Sequence, residues 1–298
     1  MSRRPDFLVI GAGRCGTTAL HRTLSQHPDI FIPEEKSPNF FASADRQPDW
    51  EGPNSRLMAT HWVNSLQAYL ALFENKDRYR VVGEVSPVYL QTVHAPGRIA
   101  STCPGVKLIA ILRDPIERAH SHYWGRRRDG LEARASFEEA VEVELERGLQ
   151  QEVAFGCYLS CGLYYHFLRG YFGCFPEDRI QVLFHEDWVV DPQDTLRRIL
   201  EFLQVDAGPK LVPKRLAQTG EITNPVLRAL WTGSVSARTR LRPYLPVSVR
   251  DAVNPIFFKR MKKPGLATGT RSRLLPYFRN DVLKLQELTG KDLGRWLR

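Results

Sequence analysis

Long apolar runs are missing from this chain. No window approaches the roughly 20 consecutive apolar residues that a membrane-spanning helix needs. The apolar run nearest the start, Phe7–Ile10, passes directly into a glycine turn, so it reads as a buried strand and not as a signal peptide. Cysteine is scarce: Cys15, Cys103, Cys157, Cys161 and Cys174 make five, an odd number with no repeated C-x-x-C spacing. That argues against a disulfide framework and a cysteine zinc site, and it implies a reducing, cytoplasmic setting; no metal is expected. Internal repeats and low-complexity stretches are absent as well, which excludes a solenoid. Acidic residues are depleted in one part: from Lys210 to Arg279, fifteen Lys and Arg face only Glu221 and Asp251, in a chain whose total charge is +9.

What is present suffices for a packed core, since 43% of the 298 residues are hydrophobic. Short apolar runs at Phe7–Ile10, Val81–Val85, Lys107–Leu112 and Arg179–Phe184 alternate with helical patterns at Thr17–Gln26, Trp62–Phe73, Ile116–Arg127, Phe137–Glu146, Gly162–Phe172 and Thr195–Leu203. This rhythm predicts an α/β fold with a central, mostly parallel sheet between helical layers. Beyond Gly208 prolines thicken and the rhythm stops, so short helices joined by turns are expected, then a helix over Asp281–Leu288 that Gly290 terminates. The expected organisation is one domain over residues 1–298, with 209–276 as a variable, basic helical and loop segment.

The stretch Phe7–Leu24, FLVIGAGRCGTTALHRTL, has the strand, glycine turn and helix of a nucleotide phosphate loop. Such a loop gathers backbone N–H groups and the positive helix end around an anion. Thr17 occupies the position of the usual lysine, which argues against γ-phosphoryl chemistry, and Arg14 offers a cation in its place. A second motif, KLIAILRDPIERAHSHYW, runs from Lys107 to Trp124. Here a buried strand ends at Arg113, Asp114 is placed to cap the next helix with Pro115 in its first turn, and Ser121 lies eight residues beyond Arg113. An arginine and a serine so spaced suit a phosphate. His120 and His122 read as structural.

Taken together, these motifs resemble sulfotransferases that use 3′-phosphoadenylyl sulfate (PAPS), of the bacterial type and close in their cofactor motifs to the heparan sulfate and tyrosylprotein groups. GRCGTT is similar to the PRSGTT of tyrosylprotein sulfotransferases. The resemblance implies a P-loop-type three-layer α/β/α fold and transfer of a sulfuryl group from PAPS to a hydroxyl or amine, releasing PAP. It implies that Gly13, Arg14, Cys15, Gly16, Thr17 and Thr18 hold the 5′-phosphosulfate, with Arg14 stabilising the bridging oxygen. Arg113 and Ser121 would bind the 3′-phosphate. Tyr164, or else Tyr165, in CGLYYHFLRGYF would meet the adenine.

The sequence also departs from the family. Relatives carry a glutamate base in a Lys-Glu-Pro-x-Phe-Phe segment, whereas EEKSPNFF places Ser37 there. The arginine-loop register puts the base on Glu35, with Glu34 as the alternative. Glu84 in VVGEVSPVYL is a further candidate, as base, as an orienting group or as part of an ion pair, although Val85 stands where relatives often have lysine. Lys214 and Arg215 are suggested as the cover of the 3′-phosphate. A nucleotide-dependent kinase or ATPase is the alternative reading, since Asp114 ends an apolar strand as a magnesium ligand would. The expected partner is a small-molecule, glycan or lipid acceptor, with an anionic membrane surface facing the basic 209–276 segment in preference to nucleic acid.

Overall fold

The structure is a computed structural model that describes residues 3–43, 62–129, 131–149, 157–214 and 264–298, with short pieces between 221 and 262. In chain order the first half contains β1 (Phe7–Gly11), α1 (Thr17–Leu24), β2 (Ile30–Phe31), α2 (Phe40–Ser43), α3 (Leu66–Ala71), β3 (Val81–Val85), α4 (Ala95–Thr102) and β4 (Lys107–Leu112). The second half contains α5 (Pro115–Asp129), α6 (Phe137–Glu146), α7 (Tyr164–Cys174), β5 (Ile180–Phe184), α8 (His185–Val190) and α9 (Pro192–Leu203). Two-residue strands β6 (Glu221–Ile222) and β7 (Met261–Lys262) pair antiparallel, and α10 (Thr270–Thr289) follows.

Five strands form one sheet in the order β2-β3-β1-β4-β5, and every neighbouring pair is parallel. β1 is buried throughout and β4 from Leu108 onward. Central parallel strands are covered on both faces, so continuous apolar runs such as FLVI and LIAIL are what such a sheet requires. The four expected strands are therefore present. β2 was not expected, because two residues are too short to carry an alternation or a run.

The order of the strands places the site. The chain leaves β1 toward the β2–β3 side, then crosses to build β4 and β5 on the other side. Loops leaving the carboxyl ends of β1 and β4 thus diverge and open a crevice at the point where the winding reverses.

The C-terminal end differs from expectation. α10 begins eleven residues before Asp281 and runs through Pro276, its seventh residue. A proline there removes one helical hydrogen bond, but Leu274, Phe278, Val282 and Leu285 line one buried face and hold the helix regardless. Gly290 ends the helix in a left-handed conformation, φ 64°, as expected. Most of segment 209–276, Arg215 included, lies outside the described residues. Among the described residues, no helix is long and apolar enough to cross a membrane.

Candidate nucleotide and transfer site

The loop between β1 and α1 is built to receive an anion. Gly16 precedes α1 in a left-handed conformation, φ 98°, and a Cβ there would stand 3.3 Å from the His185 ring. Only glycine suits both conditions. α1 has no side-chain cap and no acidic residue in its first turn, so the positive end of an eight-residue helix is open to a ligand. Gly13 faces open space where a Cβ would point. Cys15 is fully buried, its Sγ lies 3.8 Å from both Gly13 O and the Tyr164 hydroxyl, and burial pushes its thiol up to about 11.

A lysine from another segment stands at this loop. Lys36, in the loop that follows β2, donates from Nζ to Thr17 Oγ1 at 3.2 Å and to Thr18 Oγ1 at 3.1 Å. The next residue fixes this reach. Ser37 takes φ 67°, its N–H donates to Val85 O at 3.1 Å and its hydroxyl to the same carbonyl at 3.3 Å. Ser37 therefore stitches its loop to the end of β3. Asn39 adds a second stitch, its N–H donating to Ser86 Oγ at 3.0 Å.

The Arg14 guanidinium lies against α5, where a Cβ on Gly125 would be 3.1 Å from Cζ. Burial lowers its pKa to about 10, and Arg128, Arg113 and Arg118 add to the lowering while Asp129 opposes it. Gly125 is one helical turn past Ser121, so Arg14 joins the cations at the Arg113–Ser121 end of the crevice.

At that end, Arg113 follows β4 directly and its guanidinium meets Glu117 at 3.1 Å. The two side chains are 20% and 37% exposed, so the pair holds by about 0.5 kcal/mol and can yield to a phosphate. The N-terminus of α5 is already satisfied: Asp114 Oδ1 accepts from the N–H groups of Ile116 and Glu117. An anion here must therefore be held by side chains, with Ser121 two turns along the buried face of the same helix. His120 accepts from Trp124 Nε1 at 2.8 Å, and burial holds His122 well below the usual imidazole range, so both are structural as expected.

The aromatics expected at the adenine are committed to other roles. Tyr164 is fully buried, donates its hydroxyl to Arg113 O at 2.9 Å and packs beside Trp296. It offers no open face for stacking, and its hydroxyl braces the Arg113 backbone. Tyr165 lies under Lys284 of α10. Lys214 is anchored by its backbone N–H to Thr23 Oγ1, at the far end of α1 from the loop.

Among the carboxylates, Glu34 and Glu35 are exposed in the turn before Lys36. Burial lowers the pKa of His21, one turn along α1 from Thr17 and Thr18, and Glu35 stands close enough to oppose that shift. Glu84 is 1% exposed at the end of β3, and Tyr69 donates to its Oε1 at 3.3 Å while Oε2 accepts no hydrogen bond. Burial raises its pKa from 4.5 to about 7, although nearby hydroxyls and the Lys36 charge pull it down.

Lys36 and His185 were both missed in the sequence. His185 opens α8 at the carboxyl end of β5, near Gly16 and Arg113, and burial keeps its imidazole neutral with a pKa of about 4. A polar residue directly after a buried parallel strand was the available signal for it. The C-terminal tail backs the same shelf. Arg271 of α10 donates to Asp114 Oδ2 at 2.6 Å, and Asp281 accepts from the first N–H groups of α7. Loop amides, threonine hydroxyls and Lys36 at one end, with arginines at the other, fit an elongated ligand that is anionic at both ends.

Known proteins resemble this chain in sequence and in fold. The profile of the Sulfotransferase family matches residues 5–209. The chain is 29% identical over 202 residues to heparan sulfate glucosamine 3-O-sulfotransferase 3B1 of Mus musculus, a match covering 67% of this chain and 46% of that one. It is 29% identical over 150 residues to membrane-associated sulfotransferase kil1 of Dictyostelium discoideum, covering 48% of this chain and 28% of the relative. The chain thus spans less than half the length of these curated relatives. A sulfotransferase crystal structure from Alicyclobacillus acidocaldarius matches with a TM-score of 0.77 at 28% identity, over 99% of this chain and 100% of that one.

Proposed function

The chain belongs to the sulfotransferase family, and from that premise we propose that it moves a sulfuryl group from PAPS to a hydroxyl or amine of its acceptor, releasing PAP. The observation that carries the reading is the crevice itself, with an open helix N-terminus beside Lys36 at one end and Arg113 at the other. PAPS would supply the activated sulfuryl group. The loop amides, Thr17 and Thr18 would hold its 5′ phosphate, and Arg113, Ser121 and Arg14 its 3′ phosphate. Positioning and charge stabilisation of this kind can account for most of the catalysis.

Glu35 is the carboxylate we assign to the acceptor proton, since it is exposed at the mouth and neighbours the Lys36 loop. Glu34 is its alternative, and Glu84 lies too deep to meet an acceptor directly. The acceptor is a glycan, a lipid or a small molecule. The named activity of the mouse relative favours a glycan, and the basic segment 209–276 suits an acidic one or an anionic membrane surface. A cytoplasmic location is in keeping with five cysteines that form no disulfide.

The test is calorimetry with PAP, ADP and ATP-Mg on the wild type and on Arg113→Ala. PAP should bind most tightly and lose about 10- to 100-fold in the variant, with ADP unchanged. Tightest binding of ATP-Mg, indifferent to Arg113→Ala, would overturn the reading in favour of a kinase.

A further inference from the structure

The loop that should carry a lysine has none, yet a lysine amine stands at the hydroxyls of its last two residues. We infer that Lys36, from the loop after β2, is the leaving-group cation of this site, doing from a separate segment what the absent loop lysine would do from within. The assignment rests on the sulfuryl-transfer reading above and gives one residue a role in it.

Three observations converge on Lys36. Its Nζ lies 3.2 and 3.1 Å from Thr17 and Thr18 Oγ1, the two side chains at the open N-terminus of α1. Its backbone is held, since Ser37 in a left-handed conformation is bonded twice to Val85 O, so the amine is delivered from a fixed point. Its rival is directed away, because the Arg14 guanidinium packs on Gly125 of α5. An ammonium is a compact charge with three rotatable donors and can turn from a hydroxyl to a phosphate oxygen without moving its backbone.

In the transfer, the acceptor oxygen or nitrogen forms a bond to sulfur as the bond from sulfur to the bridging oxygen breaks. The electron pair stays on that oxygen, which becomes part of the 5′ phosphate of PAP, and the acceptor proton passes to a carboxylate. Lys36 would face the charge that grows on the bridging oxygen. Thr17 and Thr18, which hold the 5′ phosphate once it is bound, would park the amine until the nucleotide arrives.

The experiment compares PAP with adenosine 3′-phosphate, which lacks the 5′ group, by calorimetry on the wild type, Lys36→Met and Lys36→Arg. PAP affinity should fall by about 10- to 100-fold in Lys36→Met and recover substantially in Lys36→Arg. Adenosine 3′-phosphate should bind all three alike, which a merely structural lysine would not produce. Equal losses on both ligands, or no loss on either, would overturn the assignment. A wild type that binds PAP no better than adenosine 3′-phosphate removes the 5′ site and the assignment with it. A wild type that binds neither ligand defeats the sulfuryl-transfer reading as a whole.

Discussion

Replacing Glu84 by glutamine should change how stability depends on pH. The carboxyl is 1% exposed, and burial raises it from 4.5 to about 7. Between these values the unfolded chain has lost the proton and the folded chain keeps it, so stability is fully present below the lower value and declines as pH rises through the upper one. A displacement of that size costs the folded state roughly 3 kcal/mol once both states are ionised. Glutamine keeps the shape and does not titrate. Urea midpoints taken from about pH 4.5 to 8 should therefore show the wild type losing roughly 3 kcal/mol relative to Glu84→Gln, most steeply below neutrality. Lys36→Met should move the decline to lower stability at a given pH and its midpoint upward, because the Lys36 charge is among the influences lowering Glu84. Parallel pH curves for wild type and glutamine variant would refute the argument, since they would mean that the folded carboxyl titrates as it does in the unfolded chain.

Two further outcomes test the site from other sides. Glu35→Gln should lower kcat by about 10²- to 10⁴-fold with a turned-over acceptor, leaving PAP affinity intact, and Glu34→Gln should stay near the wild type; a larger loss in Glu34→Gln would transfer the role to that residue. Gly16→Ala forces a side chain into φ 98° and against His185, and should cost about 1–2 kcal/mol in urea denaturation while weakening PAP; an unchanged midpoint would show that the loop relaxes freely.

The parts legible in the sequence are those whose physics is local. Phe7–Gly11 and Lys107–Leu112 are unbroken apolar runs, and runs of that kind occur where both faces of a strand are covered. Asp114 and Pro115 announce a helix start, and Asp114 caps α5 as the dipeptide implies. The site residues whose positions depend on distant segments were not legible. Lys36 could be placed only by knowing that Ile30–Phe31 joins the sheet beside β3, and two residues leave no pattern. The path of Arg14 depends on a glycine more than a hundred residues away, and the burial of Tyr164 depends on Trp296 in the tail.

The arrangement also explains why an anion should stabilise this fold and not merely occupy it. Arg14 is lowered to about 10 by burial and by the charges of Arg128, Arg113 and Arg118, so the folded chain holds like charges together at some cost. The Arg113–Glu117 pair relieves this only at a partly exposed position. A nucleotide bound as proposed, with phosphates at both ends, would place negative charge beside Arg113 and beside Lys36 at once, and what it gained by relieving repulsion would appear as stability of the bound state. Because the shelf under Arg113 is tied through Asp114 to Arg271 of α10, that gain would extend to the docking of the C-terminal helix. The last helix and the strand end that presents Arg113 are in this sense linked, through the single contact of Arg271 with Asp114.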